Sequence, residues 1–158
     1  MTHRTVVRLA LLCALVLLSA CGGGGPKKRV FPPSASVQQL TVLPDGRWSV
    51  QVRLQNFSNV TQRFGNVAGT LRVAGNEAAR VQITPDLAVG PESVEIFTLE
   101  LTPSPGAAQA VNAALDARRS VRYELEGEII SIEPNKRTDD FRFDSQLSAI
   151  PGLTGVLR

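Results

Sequence analysis

The sequence predicts a mainly β protein: a single sandwich of about seven strands with one short helix near the C-terminal third. Apolar residues recur at every second position in most segments after Pro33, as in half-buried strands. Turn-forming residues separate these segments every 8–12 residues or so, a spacing typical of sandwiches. One alanine-rich segment, Ala107–Leu115, follows the helical period instead and supplies the helix.

The first two strands are predicted to form a hairpin over residues 37–43 and 47–57. Pro44-Asp45-Gly46 lies between them, where proline presets φ and glycine accepts a positive φ. The second strand has one apolar face, made of Trp48, Val50, Val52 and Leu54. We expect this face, with Trp48, to be core; stacking of a ligand on Trp48 is the alternative.

The next strands continue the alternation. One carries Val67, Gly69, Leu71 and Val73, and the following one Ala79, Val81 and Ile83. Gly75-Asn76 offers a two-residue turn between them. Residues 94–101 are apolar on both faces, with Ile96 on one and Phe97 on the other. This pattern predicts cover on both sides, in part by the helix.

The helix has recognisable ends. Ser104 is a capping residue and Pro105 fits the first helical position. Its apolar face consists of Ala107, Ala110, Val111, Ala114 and Leu115. Arg118 and Arg119 are predicted to end the helix, where cations interact favourably with the dipole.

Two strands are predicted to complete the sandwich. Val121, Tyr123, Leu125, Gly127 and Ile129 form one face of the first strand. Asn135-Lys136 supplies a turn into a strand that carries Phe141 and Phe143. Residues 150–158 give no clear pattern, so their order is left open.

The N-terminus resembles a bacterial lipoprotein signal. His3, Arg4 and Arg8 make a basic start, and the apolar run of residues 9–18 is too short to span a bilayer, which needs about 20 residues. The run ends in a sequence similar to the lipobox: Leu18, Ser19, Ala20 and Cys21. An ordinary signal peptide cut near Ala20 and a short buried helix are the alternatives.

The lipobox resemblance implies cleavage before Cys21 and lipidation of that cysteine. We therefore expect a signal peptide over residues 1–20, a lipidated glycine-rich tether over 21–32 and a domain over 33–158. Stable anchoring needs at least two acyl chains, which this modification supplies. Gly22 is not the aspartate associated with inner-membrane retention, so we expect the periplasmic face of the outer membrane.

The charge is unevenly distributed along the chain. Five of the 17 basic residues precede residue 30, so 12 basic and 14 acidic residues remain in the body. We therefore expect no nucleic-acid interface. The cluster Lys27-Lys28-Arg29 is interpreted as a solvated linker segment, with contact to anionic lipid head groups as the alternative.

The residues of the predicted mature chain do not favour catalysis. The only histidine, His3, and Cys13 lie in the segment to be removed, and Cys21 is used by the lipid. We expect no enzyme activity, catalytic residue, metal or cofactor. Three glutamates share one strand face, Glu124, Glu126 and Glu128. We interpret them as a solvated face that can pair with arginines of the next strand, rather than a calcium or acid–base site.

A second group of carboxylates is a weaker candidate for a calcium site: Asp139, Asp140 and Asp144. Strand alternation sends Asp139 to the opposite face from the other two, which argues against a shared ion.

Beyond the individual strands, the order of motifs resembles the late-embryogenesis-abundant (LEA) type 2 domain, also called the water-stress and hypersensitive-response domain. An alternating strand ends in Leu54-Gln55-Asn56-Phe57-Ser58-Asn59, similar to the family's Asn-Pro-Asn turn except for Phe57. A late helix leads into a strand with Tyr123, Leu125 and Gly127, similar to the family's Tyr-x-Leu-x-Gly. The resemblance covers residues 33–147.

The resemblance implies an immunoglobulin- or fibronectin-like sandwich in which Asn56 and Asn59 close a turn. It also implies a role in desiccation or stress protection. We expect a non-catalytic lipoprotein, attached to the membrane through Cys21, that protects the envelope or contacts an envelope protein whose identity stays open. The alternative is a periplasmic module that binds a lipid or another apolar ligand, suggested by the two apolar faces of residues 94–101.

Overall fold

The computed structural model describes residues 27–158, which form two antiparallel sheets and one helix. The first sheet has the order β6-β2-β1-β9. Its strands are β1 (Ser34–Val42), β2 (Trp48–Gln55), β6 (Val94–Leu101) and β9 (Val156–Leu157). The second sheet has the order β4-β3-β7-β8, with β5 beside β3. Its strands are β3 (Gln62–Val73), β4 (Asn76–Ile83), β5 (Leu87–Val89), β7 (Ser120–Glu133) and β8 (Arg137–Ser148).

The predicted mainly β sandwich is confirmed. Seven of the strands in the described chain have eight residues or more, in agreement with the predicted number. The other two, β5 and β9, have three and two residues. Strands this short span too few positions to show an alternating pattern, so the sequence did not reveal them.

The core lies between the two sheets. On β2, the predicted apolar face is almost fully buried, and Trp48 is 1% exposed. On β7, Val121, Leu125 and Ile129 face the same core. Period-two alternation therefore identified the inner faces of the central strands, because each inward residue removes apolar area from water.

The two predicted hairpin turns differ in outcome. Between β1 and β2, Gly46 has φ +85° and its N–H donates to the Leu43 carbonyl, as predicted for this turn. Between β3 and β4, the two turn residues are Ala74 and Gly75, both with positive φ, and Asn76 already pairs with Val73. The predicted Gly75-Asn76 turn is therefore wrong by one residue.

A bulge changes which alanine of β4 is buried. The register between β3 and β4 shifts between Leu71 and Arg72, so that one strand contributes an extra residue. Ala78 is consequently buried, whereas the predicted inward residue, Ala79, is only partly buried. Val81 and Ile83 point into the core as predicted.

The predicted cover on both faces of β6 is wrong. β6 is an edge strand that pairs with β2, and Ile96 on its outer face is 48% exposed. Phe97 and Leu99 on the other face pack against the core. The helix lies instead against β3, β4 and β7 of the second sheet.

Helix α1 spans Pro105–Asp116 and buries Ala107, Val111 and Ala114. Ser104 is the N-cap residue, but its hydroxyl donates to the Glu77 carbonyl rather than capping the helix. The arginines predicted to end the helix, Arg118 and Arg119, lie beyond the C-cap Ala117, so the last turn contains no basic residue. Within residues 27–158, no helix has the length and apolar character needed to cross a bilayer.

The C-terminal segment, left open by the sequence, joins the two sheets along one edge. Leu157 is fully buried and pairs with Leu40 of β1. On its other side, Ser148 and Arg158 exchange two backbone hydrogen bonds of 2.7 and 2.9 Å. β9 therefore lies between β1 and the end of β8.

A close approach of β3 and β7 depends on glycine. Gly69 and Gly127 are paired, and a Cβ added at Gly127 would lie 2.0 Å from the Ala68 carbonyl oxygen. The obstacle is backbone in the middle of a sheet, so relief requires the two strands to separate. This explains why a glycine occupies a position whose neighbours, Leu125 and Ile129, are buried apolar residues.

Gly127→Ala is predicted to lower the free energy of unfolding by about 3 kcal/mol, because the new methyl group overlaps backbone that cannot move alone. Gly65→Ala is the matched control. Its Cβ would lie 3.1 Å from the Ile132 side chain, which is 38% exposed, and no nearer than 3.9 Å to backbone, at the Ile130 carbonyl oxygen. Urea unfolding of both variants is the measurement, and equal losses would contradict the close-approach explanation.

Candidate functional site

The predicted processing site lies outside the described residues. Leu18, Ser19, Ala20 and the lipidation candidate Cys21 all precede Lys27, where the structure begins. The site closest to them that the structure does describe is the contact between residues 27–31 and the loop after β2.

Residues 27–31 are held against the domain by hydrogen bonds at both ends. The Arg29 N–H donates to Asn59 Oδ1 at 2.6 Å, and the Asn59 N–H donates back to the Arg29 carbonyl at 3.2 Å. Asn59 Nδ2 also reaches the Lys27 carbonyl at 2.8 Å. The Ser58 hydroxyl accepts from the Phe31 N–H at 2.8 Å. The last part of the predicted tether is thus bonded to the domain.

Asn56 organises the loop to which this segment is bonded. The residue is fully buried, and its Nδ2 donates to the carbonyls of Val60, Val89 and Gly90 at 2.8–3.1 Å. Its Oδ1 accepts from the Ser58 N–H at 2.9 Å. One amide therefore joins the loop after β2 to the loop between β5 and β6. The sequence placed Asn56 in a turn but gave no sign that it is buried or that it reaches residues 89–90.

Tyr123 joins the two sheets. Its hydroxyl donates to the Val37 carbonyl at 3.0 Å and accepts from the Val37 N–H at 3.2 Å. Val37 lies on β1 where the register with β2 shifts, so the hydroxyl satisfies both polar groups of that residue. The ring is 4% exposed and stacks on Phe143 with centroids 6.4 Å apart. Burial raises the pKa of the Tyr123 hydroxyl above its ordinary value of 10.0.

The other two residues of the predicted family strand serve packing. Leu125 is fully buried in the core, and Gly127 is the site of the close approach to β3. Together with Tyr123, they all contribute to the contact between layers or strands.

The glutamate face of β7 forms ion pairs with arginines of both neighbouring strands. Arg72 on β3 bonds Glu124 at 3.0 Å and also pairs with Glu126. Arg142 on β8 pairs with the same two glutamates. The Arg72 guanidinium lowers the pKa of Glu126, which keeps that carboxylate ionised. The prediction of arginine partners is confirmed for Glu124 and Glu126, although partners come from both sides.

The three aspartates of β8 do not meet. Asp139 pairs with Arg137, whereas Asp144 lies near Arg142 at 3.4 Å. Among the residues described, no group of three or more acidic, histidine or cysteine side chains is arranged to hold a metal ion.

Two polar side chains on the strands are fully buried, although the sequence did not predict it. Within residues 27–158, the side chains of Gln62 and Ser131 have no hydrogen-bond partner, and one oxygen of Asp139 also lacks one. Gln62 begins β3 and Ser131 lies near the end of β7. Polar residues at inward positions give no signal in an alternating pattern, since they read as part of the outer face.

The fold and these contacts define a β-sandwich domain in which the most conspicuous polar side chains bond to the domain itself. No protein-family model matches the sequence, and no curated protein matches it significantly. Several solved structures are similar. A protein from Archaeoglobus fulgidus has a TM-score of 0.45 and 12% identity, with 77% of this chain and 98% of that chain covered.

Two further similar structures were determined in solution. AT1g01470 from Arabidopsis thaliana has a TM-score of 0.49 and 12% identity, covering 79% of this chain and 82% of that chain. At2g46140.1, provisionally described as a late embryogenesis abundant protein, has a TM-score of 0.47 and 13% identity, covering 96% of this chain and 86% of that chain.

Tyr123→Phe is predicted to lower the free energy of unfolding by about 1–3 kcal/mol, because both backbone groups of Val37 lose a buried partner. Chemical denaturation at neutral pH measures the difference. A variant as stable as the parent would show that the hydroxyl does not join the sheets.

The same pair of proteins should differ in their response to alkali. The folded state holds the Tyr123 proton more tightly than the unfolded state, so the parent loses stability as pH rises above about 10. The phenylalanine variant lacks this titration. The stability gap between the two proteins is therefore expected to narrow at alkaline pH, whereas a constant gap would contradict the assigned shift.

Asn56→Ala is predicted to cost about 3 kcal/mol or more of stability, because three carbonyls and one N–H in or near the core lose their partner. Asn59→Ala is the matched control, since Asn59 is exposed and bonds only residues 27–29. It should leave the unfolding midpoint nearly unchanged but speed tryptic cleavage after Arg29. Similar unfolding midpoints for both variants would be evidence against the central role of Asn56.

Proposed function

We propose that this chain is a lipoprotein cut before Cys21, lipidated there and held on the periplasmic face of the outer membrane. Its β-sandwich is an LEA type 2-like domain that acts by contact rather than catalysis, in protection of the envelope during desiccation or other stress. The lipobox-like sequence and the ordered motifs of residues 33–147 are the sequence support for this proposal.

One structural observation carries the non-catalytic part of the proposal: the candidate chemical groups are already bonded within the domain. The Tyr123 hydroxyl is used by Val37, and the Asn56 amide by four backbone groups. Glu124 and Glu126 are held by two arginines. Each of these contacts would have to break before the group could meet a substrate, at the expense of stability.

The contact of residues 27–31 with the domain supports the anchored arrangement. The chain reaches the sandwich at the loop after β2, where Asn59 and Ser58 fix its direction. A lipid on Cys21 would therefore pull on one defined end of the domain. The hydrogen bonds of Arg29 and Phe31 give the short tether a fixed starting point.

The alternative function, binding of a lipid or other apolar ligand, loses the observation that suggested it. The outer face of β6 has no second apolar layer over it, since Ile96 there is 48% exposed. Phe97 and Leu99 on the inner face are packed against the core.

Cys21→Ser is predicted to abolish lipidation and cleavage while leaving the sandwich folded, since residues 34–157 form both sheets and the helix. Cys13→Ser is the matched control, because Cys13 lies within the apolar run that cleavage removes. Intact-mass measurement of each protein after membrane fractionation is the readout. A normally processed, membrane-bound Cys21→Ser protein would refute the anchor.

The protective role needs a separate test in cells that lack the protein. Such cells should survive drying or osmotic shock less well and leak more periplasmic content, and re-expression of the parent, but not of Cys21→Ser, should restore both. Unchanged survival and envelope integrity would count against protection without touching the anchor.

A further inference from the structure

One end of the sandwich combines exposed apolar side chains with basic ones. We call it the tether end and define it by residues 27–33, 56–61, 84–93 and 132–136. These segments lie together because the strands that enter and leave them are paired: Ser34 with Gln55, Gln55 with Val94, and Arg63 with Glu133. The helix and the 149–155 segment lie at the opposite end, where Gly155 accepts a hydrogen bond from Val42.

Most of the exposed large apolar side chains of the described chain lie at the tether end. Phe31 and Phe57 are 47% and 45% exposed, and Leu87 and Ile132 are each 38% exposed. The two phenylalanines are close in the backbone, because Ser58, next to Phe57, bonds both the N–H and the carbonyl of Phe31. Exposed aromatic rings on a hydrogen-bonded loop are typical of groups that enter the boundary between lipid head groups and acyl chains.

Exposed basic side chains lie in the same segments as these apolar ones. Lys27, Lys28 and Arg29 are exposed directly before Phe31, and Lys136 is exposed in the turn between β7 and β8. Two acidic residues of the same end, Asp86 and Glu133, are paired with Arg63 at 2.8 and 3.6 Å. Glu92 is the remaining acidic residue within these segments. The tether end therefore carries a small net positive charge, whereas residues 30–158 contain 12 basic and 14 acidic residues.

The tether keeps this end close to its anchor. Six residue steps separate Cys21 from Lys27, so even a fully extended chain reaches no more than about 20 Å. From Lys27 onward the backbone is bonded to Asn59. A lipid on Cys21 thus holds Phe31, Phe57 and the basic cluster within reach of the head groups.

We propose that the tether end docks on an anionic membrane surface, with Phe31 and Phe57 at the head-group boundary and Lys27, Lys28 and Arg29 against lipid phosphates. This inference rests on the proposed anchor at Cys21. Docking places the tether end on the membrane surface, so that the helix end, at the opposite end of the sandwich, points away from the bilayer and is presented to the periplasm. The phenylalanines supply apolar burial and the cationic cluster supplies attraction to anionic lipid.

The test uses the chain from Cys21 to Arg158, which contains every described contact and has Cys21 as its only cysteine. Coupling Cys21 to maleimide-lipid vesicles reproduces the anchor without cellular processing, so the result does not depend on whether cells lipidate the protein. Phe57→Trp reports on the tether end, and Leu153→Trp is the matched control at the helix end, where Leu153 is 56% exposed. The buried Trp48 is common to both proteins, and its emission is subtracted by measuring the parent.

The vesicles contain phosphatidylethanolamine and phosphatidylglycerol with brominated chains, which quench an indole that reaches them. The indole introduced by Phe57→Trp is expected to lose most of its emission and shift to the blue. The indole introduced by Leu153→Trp is expected to lose little. Equal quenching of the two would overturn the proposal. Phe31→Trp repeats the test at a second position in case Phe57→Trp unfolds the loop.

The anionic part of the proposal has its own variant, Lys27→Gln with Lys28→Gln and Arg29→Gln, made in the Phe57→Trp protein. Quenching at position 57 should fall severalfold with these changes, with phosphatidylcholine vesicles and with high salt, because each removes or screens the same attraction. Quenching that none of them alters would overturn the assignment to an anionic surface. Absence of quenching together with capture of a single envelope protein by a photocrosslinker at position 57 would overturn membrane docking and make this end a protein-docking surface instead.

Discussion

The buried amide of Asn56 is the contact on which the arrangement of the tether end depends. It bonds one carbonyl of its own loop and the carbonyls of residues 89–90 in the next loop. It also accepts from the N–H of Ser58, whose hydroxyl bonds Phe31. A buried amide of this kind is stable only when nearly all of its hydrogen-bonding capacity is used, which fixes the surrounding backbone closely. The direction in which the chain leaves the domain is therefore a consequence of core chemistry, not of surface contacts alone.

Sequence patterns predicted the parts of this fold that follow from burial on one face. The strands β2 and β7 were predicted correctly because every second side chain of each strand is buried in the core. This burial appears in the sequence as apolar residues at every second position. The patterns failed where a single residue changes the register. Because of the bulge beside Arg72, the buried alanine of β4 is Ala78 and not the predicted Ala79. The turn between β3 and β4 is Ala74-Gly75, one residue before the predicted position. Neither event alters composition, so neither leaves a sequence signal.

The sequence patterns also did not predict contacts between segments that are far apart in the sequence. Leu157 completes the first sheet, and Tyr123 bonds Val37 across the core, over 86 positions of sequence. Alternation showed that Tyr123 faces inward but could not show what its hydroxyl meets. Likewise, it placed Asn56 in a turn without its partners at residues 89–90. Pattern reasoning thus gives the face of a residue, whereas the bonding partner depends on the packing of the layers.

Charged groups are arranged differently on the outer face of the second sheet and at the tether end. On the outer face of the second sheet, Arg72 and Arg142 neutralise Glu124 and Glu126. A neutralised face presents little net field to a partner. At the tether end, by contrast, the cluster at residues 27–29 has no ion-pair partner among the described residues and lies beside exposed aromatic rings. Unmatched charge and exposed apolar area in one place give this end, rather than the sheet face, the stronger attraction for an external surface.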